Sequence, residues 1–144
     1  MKKNVTALAL VLCAFLLLPQ MASARTMKWF EFSLYYRNNG ADVEYEYTGL
    51  NRKPDVLPNA RINLQYVNYK GSYVDEGFRF WAQYYNGGWT SVTHAGTVQG
   101  LYHDEYARYK SNPAQYKGKN LRMAICRLGL SKADTIGVGG YWEP

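Results

Sequence analysis

Cysteine and histidine are the scarcest reactive residues in this chain, with two of each in 144 positions. Cys13 falls inside the leading apolar run, so Cys126 stands alone in the remainder and no disulfide framework can form within one chain. His94 and His103 lie nine positions apart and neither has the spacing of a metal site. His103-Asp104-Glu105 reads as a solvated polar loop. Cys126 sits in Leu121-Arg122-Met123-Ala124-Ile125-Cys126-Arg127-Leu128, an interior strand pattern in which a thiol stays protonated and inert. Glu44 and Glu46 point to one face of one strand, a wet surface and not an acid/base pair flanking a bond. Asp42, Glu44 and Glu46 lack the Asp-rich loop of a calcium cage, and Gly137, Gly139 and Gly140 have no helix after them to cradle a phosphate. Repeats, low-complexity tracts and domain linkers are also missing. The reading is a non-enzymatic chain with no metal and no cofactor.

The one long apolar run is the leader. Lys2 and Lys3, then Val5 to Leu18, then Ala22-Ser23-Ala24 have the order of a secretory signal peptide, which predicts cleavage before Arg25. Pro19 interrupts the run before the roughly 18 or more apolar residues of a spanning helix are reached. Leu10-Val11-Leu12 lacks the small residues that precede a lipidated cysteine. The expectation is therefore a signal peptide over 1–24 and one secreted domain over 25–144, with no transmembrane segment after cleavage. That domain keeps 120 residues, enough for a single core, and its formal charge drops from +6 to +4 with the loss of Lys2 and Lys3.

What it has in quantity is aromatic rings. All 14 Tyr, all 4 Trp and every Phe but Phe15 follow the leader. Such residues suit pleated strands and argue against disorder. Trp29 to Arg37 alternates, with Phe30, Phe32, Leu34 and Tyr36 on one face, and Asn38-Asn39-Gly40 is a hairpin-turn signal. Asp42 to Tyr47 alternates charge with bulk. Asn51 to Asn59 reads as a loop. Arg61 to Tyr69 predicts a strand with Ile62, Leu64 and Tyr66 inward, and Gly77 to Tyr85 another with Phe78, Phe80, Ala82 and Tyr84 inward. Asn86-Gly87-Gly88 turns into Trp89 to Thr93, and strand pattern returns in Leu121 to Leu130 and Thr135 to Trp142. Between Leu101 and Lys117 the alternation fails, and the spacing of Tyr102, Tyr106 and Tyr109 predicts a short surface helix or ordered loop, closed by Asn112-Pro113. The fold class is all-β: an antiparallel β-sandwich of seven or eight strands with one short helical insertion, a barrel being the second choice.

Two surfaces stand out for binding. Tyr35, Trp81, Tyr85, Trp89 and Tyr69 fall opposite the main apolar sets of their strands, where exposed rings suit sugar stacking or a protein hot spot. Charge is uneven: residues 26–50 carry a balance of −2, while 101–132 carry Arg108, Lys110, Lys117, Lys119, Arg122, Arg127 and Lys132 against Asp104 and Glu105, a balance of +5. The candidate ligand-binding set is Trp81, Trp89, Tyr85, Tyr35, Arg108, Lys110, Lys117 and Lys119. For an exported protein the partners of such a surface are an anionic envelope polymer, a glycan or a surface protein, and nucleic acid is not expected.

The leader, the opening aromatic strand, Arg37-Asn38-Asn39 and the closing Gly139-Gly140-Tyr141-Trp142-Glu143 resemble an uncharacterised family of small secreted Gram-positive bacterial proteins. That family carries a domain of unknown function and a Gly-Tyr-Trp-acidic C-terminus. More distantly the ending resembles lactococcin-type bacteriocins. The resemblance implies a secreted β domain from a Gram-positive source and assigns no functional residues. The expected function is a secreted, non-enzymatic binding protein of the Gram-positive envelope or extracellular space; the alternative is a bacteriocin-like antagonist of neighbouring cells.

Overall fold

The computed structural model describes residues 27–34, 46–128 and 135–144. The leader, Tyr35, Tyr36, the Asn38-Asn39-Gly40 turn, most of the Asp42–Tyr47 segment and Lys132 lie outside the described residues. Eleven strands are described, eight of them three residues or longer: β1 (Lys28–Leu34), β2 (Glu46–Tyr47), β3 (Asn51–Arg52), β4 (Asn59–Tyr69), β5 (Ser72–Tyr73), β6 (Phe78–Tyr85), β7 (Trp89–Ser91), β8 (Gly96–Val98), β9 (Asp104–Arg108), β10 (Asn120–Arg127) and β11 (Ile136–Glu143). They form two packed antiparallel sheets, an all-β sandwich. In sheet I the order is β1-β11-β4-β5, with β9 also on β4. In sheet II it is β2-β10-β6-β7, with β3 also on β10 and β8 also on β6.

Alternation explains most of the core. Phe30 and Leu34 of β1, Phe78, Phe80 and Ala82 of β6, and Ile136, Val138 and Trp142 of β11 all point between the sheets. β10 departs from simple alternation: Ala124 and Cys126 are buried as well as Met123 and Ile125. This central strand is covered on both sides, which is why it reads as a near-continuous apolar run. Cys126 is a free, buried thiol; burial pushes its pKa up, partly offset by the nearby Arg79 charge.

Two readings need correction. β4 does not keep one face along its length: its pairing with β11 slips between Gly139, opposite Tyr66, and Gly140, opposite Leu64. Gln65 is the extra residue of this β-bulge, and it reverses the alternation. Ala60, Ile62 and Leu64 face the core before it, Val67 after it. Tyr66 thus turns outward, and Tyr69, expected on the open face, packs against the core. The second correction concerns residues 101–117. Asp104–Arg108 is strand β9, paired with β4, and helical geometry is confined to one 3-10 turn at Pro113–Tyr116. Asn112 starts that turn by accepting a hydrogen bond from the Ala114 N–H. Tyr102, in a left-handed turn at φ 64, shares no helix face with Tyr106 and Tyr109.

One side of the sandwich is stitched. Thr93 bridges Tyr109, the His94 N–H donates to the Arg108 carbonyl at 2.8 Å, and the Lys110 N–H donates to the Val92 carbonyl at 2.9 Å. Beside this seam Lys53 is fully buried; its ammonium donates to the Leu57 carbonyl at 3.1 Å, pairs with Asp55 at 3.5 Å and lies 4.5 Å from the Tyr109 ring centre. Those partners compensate the buried charge and hold the 53–58 loop.

Candidate functional site

Strands β6, β7 and β10 present one row of outward side chains after another on sheet II. Tyr85 faces Trp89 across the hairpin, Gln83 faces both Ser91 and Arg122, and Trp81 faces Ala124, which in turn faces Tyr47. The turn that sets this register contains Gly87 at φ 72, a conformation open to glycine without strain. Tyr85 and Trp89 meet edge to face with ring centres 5.4 Å apart. Beside them the Arg122 guanidinium lies 3.8 Å from the ring centres of both Trp89 and Tyr47. Its Nε donates to Gln83 Oε1 at 2.9 Å. Desolvation between the rings lowers the guanidinium pKa, with an opposing contribution from Tyr47, but an arginine so placed remains a cation.

A groove of about 410 Å³ opens next to this stack, lined by Leu50, Tyr84, Tyr85, Trp89, Gly118, Lys119 and Asn120. The 3-10 turn backs one lining residue, Tyr84. Tyr116 stacks on buried Tyr109 and meets Tyr84 edge to face, at 5.5 Å and 5.9 Å between ring centres. The chain then reverses through Gly118 at φ 75, whose N–H donates to the Lys53 carbonyl. That reversal delivers Lys119 to the groove. Tyr85 and Trp89 remain 55% and 38% exposed, so rings and ammonium are both open to a ligand.

Of the eight residues singled out from sequence, the structure gathers Tyr85, Trp89 and Lys119 in this groove. Trp81 is half-buried on the same face of sheet II, and exposed Lys117 lies in the adjoining turn. Lys110 sits at the seam between the sheets. Arg108 is on sheet I, opposite Asn59, so it does not join the other cations. Tyr35 lies outside the described residues. Sequence reasoning did not select Tyr47, Leu50 or Arg122 for this site. Arg122 was legible only as one of several basic residues, because its ring partners come from strands some 30 and 75 positions away. His103 Nε2 stands 3.4 Å from Glu105 Oε1, both exposed, and neither reaches the groove lining.

No model of a known protein family matches this chain, and neither does any curated protein or any solved structure. Within the closing Gly139-Gly140-Tyr141-Trp142-Glu143, Gly140 and Trp142 are buried in β11, between β1 and β4, while Tyr141 is exposed.

Proposed function

We propose that the protein is exported, is not an enzyme, and binds an anionic polymer of the Gram-positive cell envelope in the groove on sheet II. The observation that carries this reading is the placement of cations against rings: Lys119 beside Tyr85 and Trp89, with Arg122 held between Trp89 and Tyr47. A phosphate- or carboxylate-bearing polymer offers negative charge to Lys119 and Arg122 and an apolar sugar or polyol face to the indole. Arg122 is oriented before any ligand arrives, which reduces the ordering cost of binding. The leader supports export, and N-terminal sequencing of protein from culture medium is expected to start at Arg25. A start at Met1 would contradict export by cleavage.

The test is sedimentation of the protein with purified cell-wall polymer. Trp89→Ala removes both the stacking ring and one support of Arg122, and is expected to weaken binding about tenfold, the equivalent of roughly 1.4 kcal/mol. Lys117→Gln with Lys119→Gln is expected to weaken it similarly at low salt. Binding of the unaltered protein is expected to fall as salt rises, because the Debye length shrinks from about 10 Å at 0.1 M to about 3 Å at 1 M. Arg108→Gln, on the other sheet, is expected to leave binding unchanged. Absence of binding to any wall fraction would overturn the envelope reading in favour of a diffusible, bacteriocin-like antagonist.

A further inference from the structure

The outer face of sheet I carries a second ring cluster that shares no residue with the groove. Its strand registers align Trp29 of β1, Tyr141 of β11, Asn63 of β4 and Asp104 of β9 in one row. With neighbouring strands about 4.8 Å apart, the row is about 14 Å long. The next row holds Glu31, Gly139 and Tyr66, and the row on the other side holds Glu143, Arg61 and Tyr106. Gly139 is the floor of the cluster. A Cβ there would lie 2.3 Å from the Tyr66 ring, so only glycine lets that ring lie down over β11. Trp29 then meets Tyr141 at 5.1 Å, edge to face, and Tyr66 at 6.3 Å. Trp29 and Tyr141 stay 48% and 39% exposed.

Beside the rings runs a fixed polar array. Arg61 donates to Asp104 Oδ2 and to Glu143 Oε2, each at 2.8 Å, and Asn63 donates to Asp104 Oδ1 at 2.8 Å. The Asn63 bond and Arg61 hold the Asp104 carboxyl below the usual carboxylate range. A carboxylate has about four acceptor positions, so Asp104, still partly exposed, can accept from ligand hydroxyls as well. The phenol of Tyr66 is pushed up to about 12 by burial and by its hydrogen bond with Glu31, so it stays neutral.

Charge and ring spacing select the ligand class. Arg61 is outnumbered by Asp104, Glu143 and Glu31, and with Arg108 at the far end of β9 the face is still acidic. Three acids against two arginines leave no excess of cations to draw in an anionic polymer. Asp104 and Glu143 are already paired with Arg61, and Glu31 is engaged by the Tyr66 phenol, so an organic cation finds no carboxylate here without a partner. What remains is a ligand with an apolar face for Trp29 and hydroxyls for Asp104 and Asn63. We infer that this face is a binding platform for an uncharged glycan, one sugar ring stacking on Trp29 beside the Tyr141 edge and the hydroxyls of a neighbouring sugar unit on the Asn63–Asp104 end of the row.

The probes are three uncharged hexasaccharides: a β-1,4-glucan, a β-1,4-mannan and an N-acetylchitohexaose. Each is titrated into the full protein at 0.1 M and 1 M salt. At least one is expected to bind with a Kd that changes less than twofold between the two salts. Trp29→Ala and Tyr141→Ala are expected to weaken that binding tenfold or more, Trp29→Tyr to retain it within a few-fold, and Trp89→Ala to leave it unchanged. Retention in Trp29→Tyr separates loss of a ring from loss of the fold. Binding of none of the three, or loss in Trp89→Ala with retention in Trp29→Ala, would overturn the assignment. Failure of the groove reading shows separately, in the wall-polymer experiment.

Discussion

Replacing Gly140 with alanine is expected to cost about 3 kcal/mol or more, at the upper end of what overpacking does to a core. The added Cβ would lie 2.2 Å from the Asn63 carbonyl oxygen and 3.0 Å from Leu64 Cα. Both are backbone atoms of β4, which pairs on its other side with β9, so neither can retreat without breaking a ladder. The close approach is the bulge itself: Gly140 stands where β11 resumes register after Gln65. Gly139→Ala is expected to cost less, because it displaces the ring of Tyr66 and not backbone. Gly49→Ala, with nothing within 4 Å of the new methyl and no left-handed φ, is expected to change stability little. Denaturant titration of the three variants checks the order. A Gly140→Ala protein as stable as Gly49→Ala would mean that β11 and β4 do not meet as described.

Trp142→Ala is expected to cost about 3–5 kcal/mol, the range for removing a large buried aromatic side chain. Trp142 is the largest fully buried side chain, 1% exposed, on a strand flanked by β1 and β4. Its partners in register are Lys28 and Ile62, so its indole lies where the first and last described strands close the sheet. Trp142→Phe keeps most of the volume and is expected to lose much less. Thermal unfolding followed at equilibrium separates the two. A Trp142→Ala loss below about 1 kcal/mol would place the indole outside the core, in conflict with the burial.

Where a strand is half buried and locally paired, its faces could be read directly. β1 and the β6–β7 hairpin are of this kind: the repeat of two and an Asn-Gly-Gly turn are local signals, and they brought Tyr85 and Trp89 to one face. β4 defeated the same reasoning because its bulge is set by Gly140, some 75 positions later, and nothing within Arg61–Tyr69 announces it. That single inserted residue sends Tyr69 inward and Tyr66 outward, and with Tyr66 goes the sheet I ring cluster. β9 was hidden by coincidence: tyrosines three and four apart look helical, but Tyr102 belongs to a turn, Tyr106 to an outer face and Tyr109 to the interior. The basic run over 101–132 is continuous in sequence and divided in space, Arg108 on sheet I and Lys119 with Arg122 on sheet II. Register between distant strands decides such matters, and composition carries no record of it.

The four tryptophans make the central claim directly measurable, because each indole N–H gives one resonance in a 15N-labelled protein. Trp89 lines the groove, Trp81 lies on the same face, Trp29 is on the opposite sheet and Trp142 is in the core. Titration with purified anionic wall polymer is expected to shift Trp89, to move Trp81 less, and to leave Trp29 and Trp142 in place. A shift confined to Trp29, or no shift in any indole while the polymer binds, would contradict the groove on sheet II as the site.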